Sequence, residues 1–439
     1  MAIACTACGR LDFVELSPSA LGEYAGPSDD FGRDVVAITG GDFAVGVQFA
    51  GAITIAGEVF VPTGDSNALV MRLDPSGRLR WAHPVSGPGV ETVAALSSDA
   101  AGNVYLMGSS TGPVDCGEGA RSGAGGTTAW LCSYAPDGTP SWTLALGGAA
   151  SGSVDSITGM VSANDTLYVI GNVHDVVDFG GGPVAPVSAT SDAFIAAYAP
   201  RDGSLLDVVR YGATGFIGGR RLDSDRRGNL LASFTLGGTA DLGGGPIIAD
   251  LSGDLVIAAF DAALGLRWAT LVAADGTLSA GGLVADDTGV YVSGLFSATM
   301  RFPATSIQID TAATNAGYLA ATSLEGSPRW LRRFDTPSCS RFQKLAFDRR
   351  GRLLVSGAFE GETPTGIPAV GTDGLVAAYG TDGVLESIAT QGGTGNDGTV
   401  AAADNGTLVI ATGASVGVTD ACMQAGTQRD LVIETVVLP

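Results

Sequence analysis

The sequence has one lysine, Lys344, and two histidines, His83 and His174, in 439 residues. It has ten glutamates against 35 aspartates, and 22 arginines carry almost all of its positive charge. Lys and Glu are strong helix formers that populate the solvent faces of helices, so their scarcity speaks against a helical protein. Two histidines far apart in the chain supply no zinc or acid–base constellation. With 23 basic and 45 acidic residues and a net charge of −22, no basic face can dominate, which excludes nucleic acid as a partner. No apolar run approaches the roughly 18 residues of a membrane span. Charged residues are few, 15%, but 45% hydrophobic residues are enough for a core, so the chain is expected to be folded despite its charge. A nucleophile elbow, a zinc-ligand spacing, an EF-hand loop and a phosphate loop leading into a helix are all missing. Accordingly, no catalytic residue, metal or cofactor is expected.

What the sequence does have is glycine, 66 residues of it, and a period. Trp81, Trp142, Trp268 and Trp330 lie 61, 126 and 62 residues apart, and 126 is two periods of 63. Each closes a similar phrase: RLDPSGRLRW, SYAPDGTPSW, AFDAALGLRW and TSLEGSPRW. Leu206 and Ser387 fill the missing beats. Each unit runs in one order. A first apolar run ends in an Asp/Gly turn, and a second run follows at once. A Gly-rich hairpin region, as in VVDFGGGPVAPVSAT, leads to a third run such as DAFIAAYAP, and the Trp-bearing stretch is the fourth. β-Branched and aromatic runs between Gly, Asp and Asn turns read as strands. Four strands per unit is the content of one propeller blade.

Seven units predict an all-β, seven-bladed β-propeller of four-stranded antiparallel blades, a single domain over residues 19–439. The last unit has only three runs, and the N-terminal stretch around LGEYAG resembles a fourth. The expectation is therefore a ring closed by the N-terminal strand joining the C-terminal blade, which leaves only short protected edges. The protein is expected to be a monomer.

The turn aspartates Asp99, Asp225, Asp286, Asp348 and Asp404 read as hairpin-tightening residues, because a calcium ion needs six or more converging oxygens. The clusters Arg220/Arg221, Arg226/Arg227 and Arg349/Arg350/Arg352 read as hydrated charges balancing nearby Asp, the alternative being bidentate capture of an anionic sugar or phosphate. His83 reads as a partly exposed strand residue and His174 as a surface residue of a hairpin. Cys116 occupies the slot of Phe179 and Leu242, and Cys132 that of Ala196 and Ala258. This paired exchange predicts a disulfide. Cys339, ahead of the sixth unit's first strand, and Cys422, in the seventh hairpin region, are candidates for a second bridge or for two unpaired thiols. Bridges imply an oxidising, extracytoplasmic setting, at the cell surface or outer membrane or in secreted form. In MAIACTACGR, Cys5 and Cys8 follow small apolar residues as at a bacterial lipoprotein cleavage site, without the charged and apolar regions that precede one. Residues 1–18 are thus a lipoprotein-type tail with lipidation at Cys5 or Cys8, or an ordinary terminus.

The phrases GNVYLMGS, VVDFGGGPVAP and SDAFIAAYAPRDGS, in that order, resemble the bacterial SBBP-type β-propeller repeat from about residue 33 onward. The resemblance implies a secreted or surface protein and says nothing of a ligand. RLDPSGRLRW and AFDAALGLRW are similar to the tryptophan-docking phrase of quinoprotein dehydrogenases and related outer-membrane assembly lipoproteins, although no catalytic Asp or calcium motif matches.

The expected function is a non-enzymatic binding or scaffold module for a protein or glycan partner. The hairpins between second and third strands, with Glu91, Asp155, Arg221 and Lys344 near the tunnel mouth, are the expected contact surface. The alternative is an enzyme acting at the ring's centre, quinoprotein-like or carbohydrate-active.

Overall fold

The computed structural model describes residues 30–123, 128–148, 154–303, 305, 308–311, 314–391, 399–404, 409–413 and 432–436. Among them every regular element is a β-strand, and no helix is long and apolar enough to cross a membrane. Six antiparallel sheets each have four consecutive repeat strands as their frame. The first blade is Asp30–Ala37, Phe43–Phe49, Asn67–Leu73 and Leu79–Val85, ordered from the axis outward. The inner strands of the next five are Glu91–Ser98, Val154–Ala163, Phe216–Ser224, Leu278–Ala285 and Ser340–Phe347. Each inner strand packs against the next, and Thr399–Asp404 touches both Ser340–Phe347 and Asp30–Ala37, so the series returns on itself. The sheets therefore stand as blades around an axis.

The expected count of seven four-stranded blades is corrected to six. Among the described residues the last repeat unit forms a three-stranded sheet, Thr399–Asp404, Val409–Gly413 and Val432–Val436, as its three apolar runs allow. The first described strand, Asp30–Ala37, is the inner strand of the first blade. Its hydrogen-bonded partner is Phe43–Phe49, and it meets Thr399–Asp404 by packing alone. A sequence period counts units, not the strands each unit delivers. The stretch around Tyr24, the tail 1–18, Cys5 and Cys8 lie outside the described residues.

The middle strands explain the apolar content. Phe43–Phe49, Asn67–Leu73 and Asp192–Tyr198 are buried along their whole length, whereas the outer strand Leu79–Val85 is mostly half-buried or exposed. Burial on both faces comes from neighbouring blades. One apolar cluster joins Ile170 and Ile195 of the third blade to Phe234 and Val256 of the fourth, and another joins Ile257 and Val272 of the fourth to Val292 and Tyr318 of the fifth. Each fully buried side chain of this size contributes about 1.5–3 kcal/mol, and in these two clusters part of that is realised between blades.

The periodic tryptophans stitch the same junctions. Trp81 Nε1 donates to Pro136 O (3.1 Å), Trp142 to Pro200 O (2.8 Å), Trp268 to Leu324 O (2.9 Å) and Trp330 to Thr381 O (3.2 Å). Every acceptor is in the turn between third and fourth strands of the following blade. At Gly326, which has φ +82°, an added Cβ would stand 2.5 Å from Trp268 Cε3. The glycine thus serves both the left-handed turn and the seat of the indole.

The hairpins between second and third strands are also structural. In the third blade, Val177–Asp178 pairs with Gly147 and Gly148 of the second blade's outer strand. In the fifth, Met300 and Arg301 pair with Ala274 and Ala273 of the fourth. Single bridges Ser86↔Asp115 and Ala213↔Ala240 do the same at two further junctions. Asp115, Asp178 and Asp241 each accept, through Oδ1, the N–H groups of glycines two and four residues on, at 2.7–3.0 Å. The turn aspartates behave alike: Asp225 Oδ1 accepts from Arg227 and Asn229, and Asp348 Oδ1 from Arg350 and Arg352.

Cys116 and Cys132 form a disulfide with Cα atoms 6.1 Å apart. It joins the second blade's hairpin to its third strand, where other blades pack Phe179 or Leu242. Cys339 is buried and disulfide-bonded as well, and Cys422 lies outside the described residues.

Candidate functional site

All seven inner strands bulge at one equivalent place. The register shifts fall between Gly32 and Asp34, Val93 and Ala95, Ile157 and Gly159, Gly219 and Arg221, Ala280 and Gly282, Phe342 and Lys344, and Thr399 and Ala401. A bulge sets two residues against one and re-aims side chains. Here it creates two stacked rings around the axis. One holds Arg33, Ala94, Thr158, Arg220, Gly281, Gln343 and Val400. The other holds Asp34, Ala95, Gly159, Arg221, Gly282, Lys344 and Ala401.

Small residues in these rings leave room for a few long ones to cross. Lys344 Nζ reaches from the sixth blade to Asp34 of the first, 2.8 Å from each carboxylate oxygen. The Asp34 side chain is fully buried and also accepts the N–H groups of Val35 (2.8 Å) and Leu96 (2.9 Å). From the fourth blade, Arg221 donates Nη1 to Thr158 O of the third (2.7 Å) and Nε to Gly281 O of the fifth. Its neighbour Arg220 donates Nε to Thr235 Oγ1 (2.8 Å). Burial pushes both guanidinium pKa values down; the charge of Asp34 partly offsets this for Arg221, and that of Arg220 adds to it.

The residues expected at the tunnel mouth thus have different fates. Arg221 and Lys344 are in the central rings and held by the protein itself. Glu91 is not at the mouth. It starts the second blade's inner strand, fully buried under the Gly87–Gly89 loop between the first two blades. The side chain of Asp155 lies outside the described residues. The turn arginines are paired with the following blade or locally: Arg226 with Asp287 (2.6 Å), Arg227 with Glu325 (3.1 Å) and Arg352 with Asp348 (2.6 Å). The first two pairs are exposed and contribute little to stability, whereas the Arg352–Asp348 pair is largely buried, with side-chain exposures of 11% and 2%. His83 stacks on Tyr134 with ring centroids 5.6 Å apart, and burial lowers its pKa. His174 is exposed.

Burial raises the Glu91 pKa from the ordinary 4.5 to about 7, against the N–H groups of Gly87 and Gly89, which lower it. A carboxyl with a raised folded pKa stabilises fully below its unfolded pKa, and that contribution is lost as pH rises through the folded value. The expected result for Glu91→Gln is a stability that falls less between pH 5 and pH 8.5 than in the parent. At the alkaline end the gain is roughly 2–3 kcal/mol, from 1.36 kcal/mol per pKa unit. Urea midpoints at both pH values measure it, and parallel curves for the two proteins would show that Glu91 is not the group responsible. Asp223, also raised to about 7 by burial, keeps some decline in both.

Asp34 has no signal in the repeat phrases and Arg220 is marked only as part of the Arg220/Arg221 cluster, but the bulge register makes them equivalent to Arg221 and Arg33. A second feature the sequence leaves unmarked is an open cleft of about 310 Å³ at the first blade, lined by Thr39, Gly40, Asp42, Arg72, Arg80 and Pro136. There Asp42 receives Arg72 Nε (2.6 Å) and Arg80 Nε (2.8 Å), so both guanidiniums are already paired. Among the described residues no group of three His, Cys, Asp or Glu side chains is placed to hold a metal ion.

No family model matches the chain, and no curated protein matches it. Among solved structures it is similar to the quinohemoprotein alcohol dehydrogenase of Comamonas testosteroni, at 11% identity over 97% of this chain and 78% of that one, TM-score 0.42. It is similar to BamB of Moraxella catarrhalis, at 12% identity over 97% and 96%, TM-score 0.36. It is also similar to the β-propeller domain of the Trilobed protease of Pyrococcus furiosus, at 9% identity over 93% and 94%, TM-score 0.47. The sequence resemblance to the SBBP-type repeat rests on its phrases alone.

Proposed function

We propose that the protein is a binding or scaffold propeller working outside the cytoplasm, and that the side of the ring bearing the hairpins receives a protein partner. The observation that carries this reading is where apolar surface is left exposed. Of nine large exposed hydrophobics among the described residues, Val59, Val61, Val176, Val187, Phe216, Ile248 and Leu251 are on hairpins or inner-strand starts on that side. Only Leu206 and Val384 are at the opposite turns. Apolar side chains gathered on one side of a rigid frame are a feature of interaction surfaces. The disulfide supports an oxidising compartment, and the stitched junctions supply the frame.

Two surface variants test the reading in the full chain. Ile248→Asp with Leu251→Asp alters the hairpin side, where the two residues are 72% and 76% exposed, and Leu206→Asp with Val384→Asp alters the other. A protein crosslinked from a native cell-envelope extract by the parent and by the second variant, but at least about tenfold less by the first, is the expected result; tenfold is about 1.4 kcal/mol of binding. Equal capture by both variants, or none by the parent, rejects the proposal.

A further inference from the structure

We infer that the place where the inner strands of the third and fourth blades meet, beside Arg220 and Arg221, is a binding site for a small oxyanion, a carboxylate or a phosphate or sulfate group. The inference does not depend on the hairpin-side reading.

The first observation is the local balance of charge. The chain carries 45 acidic residues to 23 basic ones. Yet the two bulge rings hold Arg33, Arg220, Arg221 and Lys344 with a single acid, Asp34. Lys344 and Asp34 satisfy each other. Arg33 folds back onto its own blade, its Nε and Nη2 both on Gln48 Oε1. Arg220 and Arg221, adjacent in the chain, donate only to neutral acceptors among the described residues: Thr235 Oγ1, Thr158 O and Gly281 O.

The second observation is that the ring does not require cations at these positions. The residues equivalent to Arg220 include Ala94, Thr158, Gly281 and Val400, and those equivalent to Arg221 include Ala95, Gly159, Gly282 and Ala401. Arg221 has a structural part, spanning three blades through two carbonyls. Arg220 has a single side-chain hydroxyl for a partner and leaves the two terminal nitrogens of its fork without a protein acceptor among the described residues. Two like charges side by side and partly removed from water, of which only Arg221 is partly offset by Asp34, are unfavourable until an anion neutralises them. A guanidinium fork matches an oxyanion geometrically, and low-dielectric walls strengthen the contact.

The third observation is direction. Thr235, which orients Arg220, pairs with Gly218 on the hairpin side of the bulge. Asn172 lies beside it, its Oδ1 accepting the Gly219 N–H at 2.9 Å and its Nδ2 donating to Ser156 Oγ at 2.8 Å. Arg220 is therefore held on the hairpin side of the bulge, next to Asn172 of the third blade. An oxyanion arriving there is either free in solution or borne on an acidic sugar.

The test uses the full chain with three probes: inorganic phosphate, sulfate and glucuronic acid. Each is compared with sodium chloride at matched ionic strength, by thermal shift and calorimetry. The expected result is binding of at least one probe at millimolar level in the parent. In Arg220→Gln the same probe binds about tenfold more weakly, a loss of about one hydrogen-bonded charge contact, while the unliganded melting temperature is unchanged or higher. Phosphate or sulfate binding without glucuronic acid identifies a free inorganic ion, and the reverse an acidic sugar; either supports the site. No probe binding above the chloride control, or equal binding by Arg220→Gln, overturns it.

Discussion

Replacing Arg210 by methionine is expected to cost about 3–5 kcal/mol, because it strands a charge where water cannot reach. Arg210 and Asp192 have side-chain exposures of 1% and 0%. Nε and Nη2 of Arg210 both meet Asp192 Oδ2, at 2.9 and 2.8 Å. The same carboxylate accepts Val187 N–H and Ser188 Oγ–H, and Arg210 Nη1 donates to the carbonyls of Asp175 (2.8 Å) and Val184 (3.1 Å). The network ties the third blade's hairpin to its third and outer strands. Methionine fills the stem's volume and restores none of these bonds. Denaturant midpoints should drop accordingly, and amide exchange should accelerate first at Val177, Asp178 and Val184. Asp192→Asn in the same background removes the stranded charge and should recover a large part of the loss. A single-variant cost below about 1 kcal/mol would show instead that solvent reaches the carboxylate.

The second large effect is at the axis. Lys344→Met should destabilise the ring by about 2–3 kcal/mol, less than Arg210→Met because the lysine side chain is 28% exposed and its charge is partly hydrated already. Asp34 would keep the N–H groups of Val35 and Leu96 but lose its cation. The pair reaches from the sixth blade to the first, across the position of the three-stranded sheet. Its loss should therefore speed amide exchange in Thr399–Asp404 more than in any blade between the second and the fifth. Asp34→Asn combined with Lys344→Met should restore the parent's exchange pattern. Uniform acceleration throughout would mean the pair stabilises the ring without closing it.

The parts of the fold legible in the sequence are those fixed within one period. Trp81, Trp142, Trp268 and Trp330 mark the junctions because each acceptor lies in the next unit's turn, at a repeated offset. The hairpin and turn aspartates are readable because their partners are glycines or turn residues two to four positions away. The Cys116–Cys132 bridge is readable because both cysteines replace residues known from other units. The closure is not legible in this way. Three apolar runs in the last unit give its three described strands, and the stretch near Tyr24 lies outside the described residues. The axis is hidden for a related reason. Lys344 and Asp34 are 310 positions apart, and the shared bulge that brings them to one level has no composition of its own: Arg33, Ala94, Gly281 and Gln343 all occupy it. Glu91 is illegible for a further reason: position along an inner strand alone does not tell the ring's mouth from the junction between blades. The side a residue faces turns on the loop above it, here Gly87–Gly89.

At four successive junctions, the hairpin of one blade lies over the end of the outer strand before it. This overlap gives the ring a direction, as in a course of roof tiles. The stretch of chain that is copied in a duplication is not the body that is packed. A duplicated unit brings the cover for its predecessor and waits for its successor to cover it, so a copy inserted mid-course fits both neighbours without new contacts. Removal is unequal. Stripping units from the later side bares one outer strand edge, an invitation to pairing with another chain, whereas stripping them from the earlier side leaves a hairpin with nothing beneath it. Fragments of the two kinds should therefore fail differently, the first by association and the second by local unravelling.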